Sequence, residues 1–94
     1  MTDKNIAAIS ALLLESFPGC RVISLEGGGV WRFRIQRDEQ PVGWLRFTDE
    51  FLSGTQSSDV EEVCLRAIGL LRKVSYAPTF LISHPGHIVA IGSF

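Results

Sequence analysis

Residues 20–48 hold the densest set of groups able to recognise a partner. Trp31, Phe33 and Ile35 alternate with Arg32, Arg34 and Gln36, the period of two that sends neighbours in a strand to opposite faces. Leu45 and Phe47 join the apolar set, which leaves Arg32, Arg34, Gln36, Trp44 and Arg46 on the other face. This stretch has five arginines (Arg21, Arg32, Arg34, Arg37, Arg46) against three acids (Glu26, Asp38, Glu39), a local +2 in a chain of net charge −1. A guanidinium stacks on an indole and pairs with carboxylate or phosphate, and both residue types are enriched where binding energy concentrates. The pattern predicts a partner-binding face made by Arg32, Arg34, Trp44 and Arg46. The plainer alternative is a solvated sheet face whose arginines keep the strands soluble.

Other residues invite catalytic readings and support them less. His84 and His87 bracket Pro85-Gly86 and could share a metal, but zinc sites normally take at least three protein ligands. No Cys, Asp or Glu lies within ten residues of that turn. Cys64 falls on an apolar helical stripe, where a thiol is structural. Cys20 begins a strand, and nothing in the sequence brings it to a histidine. Gly27-Gly28-Gly29 leads into Val30-Trp31-Arg32-Phe33, a strand, whereas phosphate loops hand the chain to a helix N-terminus. Asp49-Glu50 reads as a solvated pair. The expectation is a chain with no catalytic residue, metal or cofactor; an enzyme dependent on metal or thiol through His84, His87 and Cys20 is the weaker reading.

Composition bounds the frame. Ninety-four residues, 46% of them hydrophobic, with a mean hydropathy of +0.21, make one globular domain over residues 1–94 rather than a disordered chain. Ten acids against nine Lys and Arg exclude a bulk polyanion binder of the histone type. No apolar run reaches the length of a membrane span, and Met1–Ile6 leads into no leader-like stretch. Two cysteines are too few for a disulfide scaffold. The expectation is a cytoplasmic protein.

The elements that must position these residues punctuate themselves. Ile6, Ile9, Leu13 and Phe17 recur at helical spacing behind Asp3 as a cap, which predicts a helix over residues 3–16 ended by Pro18-Gly19. Arg21–Leu25, the alternating run from Trp31, and Val42–Phe47 read as three strands of a meander. Residues 48–56 read as a loop. Ser58 and Glu61 fit a capping box before a second helix whose stripe is Val60, Val63, Cys64, Ala67, Ile68 and Leu71. Thr79–Ser83 and Ile88–Ile91 form a hairpin, with Pro85-Gly86 at the centre of a type II turn. The fold class is α+β: a two-layer sandwich of order α-β-β-β-α-β-β, with an antiparallel five-stranded sheet and both helices on one face. The sequence does not choose the edge at which the last hairpin pairs.

The α-β-β-β-α portion has the element order of double-stranded-RNA-binding domains. Ser58, Asp59, Glu61 and Glu62 stand at the helix end where such a domain would present lysines to phosphate, so nucleic acid is the disfavoured partner for the arginine face. The full order is similar to that of small dimeric secretion chaperones, although this chain has neither the last helix nor the acidity usual in them. That resemblance implies binding of a protein segment.

The apolar side chains exceed what two layers hide. Leu12 and Leu14 lie outside the first helix's stripe, and both runs of the last hairpin are apolar on both faces, a pattern of strands covered on both sides. A homodimer through the first helix or the C-terminal hairpin resolves the excess. The expected function is a small non-enzymatic protein-interaction module: an adaptor, a chaperone-like protein or an inhibitor.

Overall fold

The computed structural model describes residues 2–74 and 76–93. Its order is α1 (Thr2–Ser16), β1 (Arg21–Gly27), β2 (Val30–Arg37), β3 (Gln40–Thr48), α2 (Asp49–Gly54), α3 (Ser57–Lys73), β4 (Pro78–Ser83) and β5 (His87–Ser93). The domain is α+β, and the sheet runs β1-β2-β3-β4-β5. No helix among the described residues is long and apolar enough to cross a membrane.

Two expectations about the sheet and its cover are corrected. The sheet is mixed, because β4 runs parallel to β3 while the other three pairings are antiparallel. The cause is the connection: α2 and α3 carry the chain back along the sheet, and such a crossover delivers the next strand parallel to the last. That same crossover seats the hairpin beside β3 rather than beside β1. The second correction is a third helix. Thr48 accepts a hydrogen bond from the Phe51 amide at 3.2 Å, a side-chain cap that starts α2 within the stretch expected to be a loop. The helix then drives Phe51 and Leu52 into full burial.

The core follows the predicted alternation. Phe33 and Ile35 of β2, Leu45 and Phe47 of β3, and Phe80 and Ile82 of β4 are buried in one cluster with Ile9, Leu13 and Phe17 from the α1 side and the stripe of α3. Phe33 meets Phe47 edge-on, with ring centroids 5.6 Å apart, a favourable arrangement of two aromatic rings. Gly43 fits where nothing larger does: a Cβ there would stand 2.5 Å from Leu71 Cδ2 and 3.3 Å from the Pro78 carbonyl. The α3 face therefore seats directly on the β3 backbone.

Polar contacts tie the helices together. Asn5, 1% exposed, donates from Nδ2 to the carbonyls of Leu52 (2.7 Å) and Thr55 (3.1 Å), and its Oδ1 accepts from Ser57 Oγ at 3.2 Å. One side chain of α1 thus closes the end of α2 and holds the start of α3, meeting carbonyls that a helix end leaves unpaired. At the far end Arg72 donates to the Ser16 carbonyl at 2.6 Å and lies over the Phe17 ring.

Local details also differ from expectation. Asp3 sits inside the first turn of α1 rather than capping it. The cap position of α3 is Gln56, without a side-chain bond, so the Ser58–Glu61 capping box does not form; the helix already starts at Ser57, which Asn5 holds. Gly86 donates to the Ser83 carbonyl at 2.7 Å across a cis His84–Pro85 bond. His84-Pro85 is therefore the centre of a type VI turn, not Pro85-Gly86 of a type II turn.

Candidate partner-binding face

The strand register decides which side chains meet on the side away from the helices. Ile23 pairs with Arg34, Arg34 with Trp44, and Trp44 with Thr79. A second row runs beside the first: Leu25 pairs with Arg32, Arg32 with Arg46, Arg46 with Leu81, and Leu81 with Val89. Paired residues share a face of the sheet. All four predicted residues, Arg32, Arg34, Trp44 and Arg46, are therefore side by side in the two central rows. With Ile23 and Leu25 they line a shallow depression of about 280 Å³. Gln36 departs from the set: the register shifts between Ile35 and Gln36, and Gln36 is buried.

The electrostatics of the face are one-sided. Glu26 is the only acid in any of the five strands, and it pairs with Trp31, on the helix side. Arg32 and Arg46 are directly opposite each other, a like-charge pair that costs stability in a sheet. Arg32 and Arg34 are exposed, while Trp44 and Arg46 are half-buried, so the indole forms part of the floor between the guanidinium groups.

The apolar borders of the face were not singled out from the sequence. Leu25 is 64% exposed and Val89 52%, at opposite ends of the second row. Both lie on edge strands, and the signal for Leu25 was its alternation with Glu26 and Ser24 in β1. The face is a cationic centre with an indole in it, flanked by aliphatic side chains.

The residues of the weaker catalytic reading are not brought together. Cys20 precedes β1, at the end of the sheet where β2 finishes and β4 begins. The β4–β5 turn is at the other end, three strands or more away, which puts roughly 20 Å or more between Cys20 and either histidine. His84 and His87 also diverge. A Cβ on Gly54 would lie 3.7 Å from the His84 ring, whereas His87 opens β5 opposite Ser83. Among the described residues no cluster of three or more His, Cys, Asp or Glu is placed to hold a metal. Cys64 is fully buried, and burial pushes its thiol up to about 12, so it stays protonated and inert.

The class these observations define is a small α+β domain with helices on one side of a mixed five-stranded sheet and an uncovered, acid-free face on the other. Compared with family models, characterised proteins and solved structures, the chain matches none.

Proposed function

We propose that this chain is a small non-enzymatic protein-interaction module, adaptor, chaperone-like or inhibitory, whose open sheet face takes an acidic segment of a partner protein. The observation that carries this reading is the Arg32–Arg46 pairing. Two cations directly opposite each other, on a face with no acid in any strand, are a local conflict that a partner carboxylate lying between them relieves. Arg34, directly across from Trp44, offers its guanidinium to a second carboxylate. Leu25 and Val89 give the flanking apolar contact.

The same face could hold a single nucleic-acid strand. Trp44 is the one aromatic side chain in the two rows, however, where sequence-tolerant platforms stack successive bases on several aromatics. The acidic peptide is the better-supported occupant.

Self-association is assigned to β5. The other edge strand, β1, carries Arg21 and Glu26 near its two ends, while β5 (HIVAIGS) holds no Asp, Glu, Lys or Arg. An apolar edge strand without charges is the type that pairs with another copy. On α1 the exposed Leu14 stands alone as a large apolar side chain. The free Cys20 and Cys64 fit a reducing, cytoplasmic setting.

A random peptide display library selected on the wild-type protein tests the proposal, with Arg32→Gln/Arg46→Gln as the counter-selection target. Enrichment of peptides with two or more acids beside an apolar residue, retained by the wild type and lost by the variant, is expected. No enrichment, or peptides held equally by the variant, would overturn it. Tight binding of a twelve-residue oligo-dT that collapses with added salt would move the face to the nucleic-acid reading.

A further inference from the structure

The helix layer does not extend across the whole sheet. α1 packs on α3 and β1, and α3 packs over β3, which leaves the inner side of β5 only thinly covered. Ile88 and Ala90 pair with the buried Ile82 and Phe80, so they face the helices, yet Ile88 is only half-buried and Ala90 is exposed. The thin cover leaves a groove of about 600 Å³ between the outer flank of α3 and the β4–β5 tip. None of the six residues in the depression on the open face lines it.

We propose that this groove binds a small anionic ligand carried on an apolar body, an organic phosphate or carboxylate. Arg66 and Lys73 stand seven positions apart on α3, so they share one flank, about 10 Å apart along the axis. Leu70 lies between them, and Ile88 faces it from the hairpin. Gly69 keeps the middle of the groove open, because nothing lies within 4 Å of where its Cβ would be. His87 borders the groove where β5 begins, and among the described residues no carboxylate lines it.

Gly86 sets how α3 meets the hairpin. A Cβ there would approach Val63 Cγ2 to 3.1 Å and Arg66 Nη2 to 3.7 Å, and its φ of +143° suits glycine. The hairpin backbone therefore rests against α3 with the Arg66 guanidinium beside it, at the mouth of the groove. A guanidinium and an ammonium with an aliphatic floor between them match an anion on an apolar body, since guanidinium forks onto phosphate or carboxylate oxygens. The volume is within the range of small-ligand sites.

Phenyl phosphate, followed by backbone amide shifts of the full chain, tests this site, with inorganic phosphate alone and phenol alone as the comparison probes. Saturable shifts are expected at Gly69, Gly86, His87 and Ile88, with tighter binding than either comparison probe. Arg66→Gln/Lys73→Gln removes two charge-assisted contacts and should weaken binding about tenfold or more. Gly69→Leu keeps every charge but fills the open space, and should block binding while the protein melts no lower than wild type. The inference is overturned by shifts confined to the sheet face, by no saturable binding, or by unchanged affinity in both variants.

Discussion

Arg32 and Arg46 stand directly opposite each other across β2 and β3, in the centre of a sheet face that carries no acidic residue on any strand. Like charges placed this way destabilise a sheet by an amount comparable to what a good cross-strand pair contributes, about 0.2–1 kcal/mol. Replacing one with a β-branched neutral residue should help the fold and hurt the function. Arg46→Thr is predicted to raise stability by about 0.5 kcal/mol in urea unfolding while weakening any peptide selected on the wild type. A variant that is less stable and binds as well as wild type would mean that the pair is structural.

Asn5 is the polar centre of the helix layer. Asn5→Ala leaves the Leu52 and Thr55 carbonyls and the Ser57 hydroxyl without this partner. Each orphaned buried group costs about 1–3 kcal/mol, so a loss of roughly 2–4 kcal/mol is expected by denaturant titration. Asn5→Asp should fare no better, because an ionised carboxylate has no donor for the two carbonyls. A loss under about 0.5 kcal/mol, the range of ordinary surface changes, would show that water replaces the side chain at no cost.

Gly43 is required by the closeness of α3 to β3. A Cβ at 2.5 Å from Leu71 Cδ2 must displace that side chain, and overpacking of this kind costs about 1–3 kcal/mol. Leu71→Ala vacates the same space, so Gly43→Ala/Leu71→Ala should be less destabilised than the sum of the two single variants. Additive losses in the double-mutant cycle would place the strain elsewhere.

Much of the fold is legible in the residue pattern, and the departures have specific causes. The alternation through Trp31–Ile35 assigned those five residues to their faces because a strand with one buried face has little freedom of register, and it failed at Gln36, where the register shifts. The stripe from Val60 to Leu71 likewise marked the buried side of α3. The parallel β3–β4 pairing was not readable, since it depends on α2, and α2 rests on the single cap Thr48 plus two apolar residues, Phe51 and Leu52. A six-residue helix gives too little periodicity to see. Asn5 was equally hidden: its partners lie about fifty positions on, and a lone polar residue near a helix start looks like solvated surface. At the site, the arginines and Trp44 followed from local alternation. The depression they share with Ile23 and Leu25 required the β1–β2 register, which the Gly27–Gly29 turn did not reveal.

Cys64 links the core to alkaline stability. Burial raises its thiol from 9.0 to about 12, so above pH 9 the unfolded chain releases a proton that the native state keeps. Stability contributed by the buried thiol is complete below pH 9 and is lost as pH rises toward 12, at about 1.4 kcal/mol per pH unit. Cys64→Ala should start less stable, from the lost packing, and then show a flatter decline over pH 9–12 than wild type in parallel urea titrations. Equal slopes would mean that the native thiol ionises as freely as the unfolded one.

The central claim is that the uncovered sheet face takes an acidic protein segment. Amide chemical-shift mapping with an acidic peptide selected on the wild-type protein tests it most directly. The account predicts shifts clustered at Ile23, Leu25, Arg32, Arg34, Trp44 and Arg46, abolished by Arg32→Gln/Arg46→Gln in a protein that still melts cooperatively. Shifts confined to the helix side, or a peptide that binds the double variant with wild-type affinity, would contradict it.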